Sequence, residues 1–106
     1  MIAEERTERA VEFIRDHADR LGELVGHCKG LEYQAKVIKG QAYLDATGTI
    51  QAREATAVCS PEYKVIIEEI ENAWAEKETL LTKLKAAELT IDVWRTQQAS
   101  QRRGHV

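Results

Sequence analysis

From Ala10 to Asp45 the chain steps by four and three residues in alternation: Ala10, Ile14, His17, Leu21, Leu24, Cys28, Leu31, Ala35, Ile38, Ala42, Asp45. Nine of these eleven positions are apolar, and only His17 and Asp45 break the pattern. Such spacing lays one apolar seam along one side of a long α-helix. The helix is expected to run from about Ala10 to Thr47. Residues 1–9 form a polar lead whose Glu4, Glu5 and Glu8 suit a helix start through the macrodipole. The rest of the chain has to supply a partner for that seam.

The partner begins after marked boundaries. Gly48 is a natural C′ stop, able to take the left-handed conformation. Thr49 is placed to N-cap a short helix from Ile50 to Val58. In Cys59-Ser60-Pro61-Glu62, Ser60 is a candidate N-cap, and Pro61 stands at the first helical position, where its missing N–H costs nothing. From Pro61 to about Gln98 a second seam follows: Tyr63, Ile66, Ile70, Ala73, Lys77, Leu80, Leu84, Ala87, Ile91, Trp94. Residues 99–106, with Arg102, Arg103 and His105, read as a flexible basic tail, leaving residues 1–98 as one helical domain.

Two helices of roughly 37 residues would each reach about 55 Å at 1.5 Å per residue. Equal lengths and a short connection predict an all-α fold: a long antiparallel, coiled-coil-like hairpin with a short helix at the tip. Charge agrees. Residues 1–25 carry seven acids and four bases, residues 83–103 two acids and five bases. Residues 26–47 carry three bases and two acids, residues 61–80 six acids and two bases. Only an antiparallel pairing sets unlike beside unlike. With 31% charged and 6% aromatic residues and one proline, the composition suits solvated helices better than a β-sandwich.

Gly22, Gly26 and Gly30 lie four apart on one side of the first helix. They mark either a groove where another backbone comes close or a softened helix. Ile67, Trp74 and Leu81 widen the apolar face of the second helix beyond one stripe, and Phe13, Val25 and Val37 do so on the first. A flank left partly wet in this way marks an association site, so a homo-oligomer is expected, with Ile67, Trp74 and Leu81 at its interface.

No catalytic constellation is present: there is no nucleophile elbow and no phosphate-binding glycine loop. The chain is not expected to be an enzyme or to carry a cofactor. Cys28 and Cys59 form no CxxC pair, and neither shares a helical face with His17, His27 or His105, so no metal site is expected. Cys28, on the seam, reads as a small buried hydrophobe in a reducing cytosol. No apolar run is long enough to span a membrane and no secretory signal heads the chain, so a cytoplasmic location is expected. Net charge is −3, so any nucleic-acid contact must come from a local patch.

That patch is the stretch from Lys29 to Tyr43. Lys29, Lys36 and Tyr43 are seven apart on one face, Lys39 lies beside them, and Gln34 and Gln41 are interspersed. Lysines neutralise phosphates, amides hydrogen-bond to them, and a tyrosine ring stacks on an unpaired base. The competing reading is a solvated face whose lysines pair with acids of the second helix. Arg95, Arg102 and Arg103 form a second basic site, whose plainer reading is a solubilising end. Trp74 and Trp94 are read first as core or interface, from their apolar neighbours.

The run Glu32-Tyr33-Gln34-Ala35-Lys36-Val37-Ile38-Lys39-Gly40-Gln41-Ala42-Tyr43-Leu44-Asp45-Ala46-Thr47-Gly48, its continuation through Ala55, and Ser60-Pro61-Glu62-Tyr63 resemble small helical bacteriophage proteins encoded near recombination genes. In layout the chain is similar to the UvsY-like recombination mediators. The resemblance covers roughly residues 30–98. It implies a helical protein that binds single-stranded DNA, assembles into oligomers, and helps load a recombinase. The matching basic position is Lys39, with Lys36 one turn earlier, whereas Gln41 stands where the family has a second base. The expected function is therefore non-specific single-stranded DNA binding in phage recombination, with a recombinase or annealing protein as partner. A helical protein–protein adaptor without nucleic-acid binding is the alternative.

Overall fold

The computed structural model describes residues 3–104. Three helices occur, α1 (Glu4–Asp45), α2 (Ile50–Val58) and α3 (Pro61–Gly104), with no strand among the described residues. The all-α class and the helical hairpin are as expected. The contacts divide the chain into two compact units. One unit is Glu23–Lys77; the other joins the chain up to Gly22 with the chain from Glu78 onward.

In the unit Glu23–Lys77, α1 buries Leu24, Cys28, Leu31 and Ala35, and α3 buries Ile66 and Ala73. Ile38, Tyr63 and Ile70 pack around the cluster. The two helices run antiparallel, tied by the Trp74 indole, which donates to Glu32 Oε1 at 3.0 Å. Leu24 and Cys28 are each 2% exposed. Lys77, the charged member of the second seam, is half-buried. Its ammonium leaves the seam by lying over the Trp74 ring, 3.5 Å from the centroid, a cation–π contact that keeps the stem packed and the charge near water.

The connection is built as its residues dictate. Gly48 has φ of +106°, a conformation costly for any residue with a Cβ. Thr49 is extended, and its hydroxyl accepts from the Ala52 amide at 3.1 Å, capping α2. Ala57, small enough to vanish under its neighbours, is 0% exposed. Ser60 departs from expectation. Its hydroxyl donates back to the Ala57 carbonyl at 2.8 Å, so it closes α2 and does not cap α3, which starts at Pro61 as anticipated. Cys59 is exposed at the end of α2, and Cys28 is buried as its seam position requires; both cysteines are free.

In the other unit, α1 buries Thr7 and Ala10, and α3 buries Leu80, Leu84 and Ala87. The seam thus extends one step before Ala10, and the residues from Glu4 to Arg9, expected as a lead, are helical. His17 occupies its seam position without an orphaned nitrogen. Nδ1 donates to the Phe13 carbonyl at 2.8 Å, and the ring stacks on Phe13 with centroids 4.1 Å apart. The expected basic tail is helical to Gly104, since nothing from Ala99 to Arg103 breaks a helix and two arginines in the last turn complement its dipole. Met1, Ile2, His105 and Val106 lie outside the described residues.

The glycines of α1 resolve one open question. A Cβ at Gly22, Gly26, Gly30 or Gly40 would meet nothing within 4 Å. Among the described residues no backbone from outside the helix approaches them, so they line no close-packed groove there.

Candidate nucleic-acid interface

Lys36, Lys39 and Tyr43 each follow a seam residue of α1 (Ala35, Ile38 and Ala42), so the 3.6-residue turn stacks them along one flank of the helix. Ala57 packs α2 against that flank. The result is a groove of about 470 Å³ lined by Lys36, Lys39, Gly40 and Tyr43 of α1 and by Glu54, Ala57 and Val58 of α2. Gly40 and Ala57 make its floor low, while the two lysines and the half-buried Tyr43 form one wall.

Lys29, Lys36 and Lys39 are exposed and make no ion pair among the described residues. The lysines are solvated, as the competing reading has them, but are not paired with acids of α3 among the described residues. Gln41 is turned away from this chemistry and donates to Asp45 Oδ1 at 3.0 Å. Two free ammonium groups beside a phenol ring and an apolar floor can hold an anion next to a flat ring. Glu54 on the opposite wall opposes that use, because its carboxylate repels phosphate.

Of the six residues expected to contact DNA, the groove gathers Lys36, Lys39 and Tyr43. Lys29 sits on the same helix two turns earlier and does not line it. Arg102 and Arg103 are exposed in the last turn of α3 and belong to the other unit. Among the expected interface residues, Ile67 is half-buried, Trp74 is 41% exposed and Leu81 is 38% exposed. Trp74 is already engaged by Glu32 and Lys77 within its own chain. Sequence reasoning missed the contribution of α2. The usable signal was Ala57, a small residue one turn before a marked boundary, where a helix can pack closely.

No group of three or more histidine, cysteine or acidic side chains able to hold a metal occurs among the described residues. No described helix is long and apolar enough to cross a membrane. No family model, curated protein or solved structure matches the chain.

Proposed function

We propose that this protein binds single-stranded DNA without sequence preference, as a homo-oligomeric accessory factor of phage-type recombination acting in the host cytoplasm beside a recombinase or annealing protein. The observation that carries the reading is the groove wall: Lys36, Lys39 and Tyr43 brought to one edge, with both ammonium groups unpaired. Phosphates of a single strand would lie against the lysines, and an unstacked base against Tyr43 and the apolar floor. The resemblance of residues 30–98 to the recombination mediators supplies the biological setting. A helical adaptor without nucleic-acid binding is the second reading, favoured by Glu54 in the same groove.

The test is fluorescence anisotropy with labelled single-stranded and duplex oligonucleotides across salt. Lys36→Ala with Lys39→Ala removes two phosphate contacts. At about 0.7 per contact, the slope of log affinity against log salt should fall by about 1.4 while helicity stays unchanged. Absence of low-salt binding, or affinity indifferent to the double substitution, eliminates the DNA reading in favour of the adaptor.

A further inference from the structure

The unit that joins the N-terminal half of α1 to the C-terminal half of α3 has two flanks of opposite charge. On one, each lining residue precedes or occupies a seam position. Arg6, Arg9 and Phe13 of α1 face Lys83, Ala86 and Thr90 of α3 across a groove of about 430 Å³, floored by Ala10 and Ala87. No carboxylate lines it. Arg6, Arg9 and Lys83 make no ion pair among the described residues. Alanines at the floor leave room for a third helix to approach, as helix-in-groove docking requires.

On the other flank the α1 residues following the seam predominate. Glu4, Glu8 and Glu12 repeat every four residues around Val11, with Arg15 and Trp94 at the margin. Arg15 is engaged by Asp16 at 3.6 Å. Val11 is 48% exposed between two glutamates, an apolar knob inside an acidic ridge. Thr7, at the base of this ridge, is 7% exposed, and its hydroxyl oxygen has no hydrogen-bond partner.

We infer that a second copy of this chain docks here, the Glu4/Glu8/Val11/Glu12 ridge of one copy entering the Arg6/Arg9/Lys83 groove of the next. Three carboxylates meet three unpaired cations, and Val11 meets the alanine floor and Phe13. Ridge and groove lie on opposite flanks of the same helix, so the contact is heterologous: each copy gives one surface and receives the other. The inference rests on the homo-oligomer named in the proposed function and moves its contact away from Ile67, Trp74 and Leu81.

Light scattering on a sizing column tests it, with sedimentation across salt and protein concentration. Wild type should exceed the 12.0 kDa of one chain and lose mass as salt rises. Arg6→Glu with Arg9→Glu makes the groove acidic, and Glu8→Arg with Glu12→Arg makes the ridge basic. Either alone should weaken self-association on the order of a hundredfold, because like charges then face each other. Mixed in equal amounts, the two variants should reassemble, since each reversed surface meets its complement. Circular dichroism of each variant separates lost association from lost helix, and recovery on mixing excludes misfolding directly.

Three results would overturn the inference. A wild-type monomer at every concentration defeats it together with the homo-oligomer. A wild-type oligomer whose mass both variants retain, or which mixing fails to restore, defeats this contact alone and leaves the homo-oligomer standing. Oligonucleotide affinity lost in Arg6→Glu with Arg9→Glu, at unchanged mass, would make the groove a nucleic-acid surface.

Discussion

Replacing Gly26 and Gly30 by alanine should stabilise this protein, although both lie in the middle of its longest seam-bearing stretch. Both residues are exposed, and a Cβ at either would meet no atom within 4 Å. The substitution therefore adds no clash and loses no contact. What remains is the difference in helix propensity, about 0.8 to 1.0 kcal/mol per residue, arising mostly from the freedom glycine gives up on folding. Neither new methyl group meets another group, so the two propensity differences should sum to about 1.6 to 2.0 kcal/mol. At about 4 to 8 °C per kcal/mol for a chain of this size, the melting temperature should rise by about 6 to 16 °C. The same chemical change at Gly48 should have the opposite sign. There φ is +106°, and the new methyl carbon would stand 3.4 Å from the Ala52 Cβ, so Gly48→Ala should cost about 1 to 2 kcal/mol. Thermal and urea unfolding followed by helical circular dichroism measures all three variants. It should be run at several protein concentrations, because self-association raises apparent stability. A double variant that melts at or below wild type would refute the reasoning and show the glycine face to be covered by a backbone from outside this chain.

Leu24→Ala should be severe: the side chain is 2% exposed, and truncation leaves a cavity in the seam, costing about 3 to 5 kcal/mol in urea denaturation, whereas a cost under about 1 kcal/mol would mean the seam collapses freely around the gap. Glu54→Gln removes the carboxylate from the lysine-walled groove. It should strengthen single-stranded oligonucleotide binding by about threefold at low salt, the worth of one like charge near a solvated phosphate, and unchanged affinity would place the strand elsewhere.

The helices themselves were legible in the residue order. The four-three rhythm marks α1 and α3 because burial along a helix depends on spacing alone, and every seam position of α1 from Ala10 to Ala42 is buried or half-buried. Even His17 obeys the rule, because a backbone carbonyl four residues back absorbs its polarity. Gly48, Thr49 and Pro61 announced α2 and the start of α3, since each residue type suits a backbone conformation that few others tolerate. The ends were less legible. Glu4 to Arg9 and Ala99 to Gly104 are polar, and polarity does not separate a solvated helical turn from a loose end.

Which flanks meet is another matter. Lys36, Lys39 and Tyr43 could be placed on one face from their numbers, but the wall opposite them, Glu54, Ala57 and Val58, exists only because α2 packs back against α1. Arg6 and Arg9 sit in a segment whose net charge is acidic, and they become a basic groove only when Lys83, more than seventy residues away in the chain, is set across from them. Periodicity reports the environment along one helix. The charge and shape of a groove are properties of two helices at once, and come into being when the chain folds back on itself.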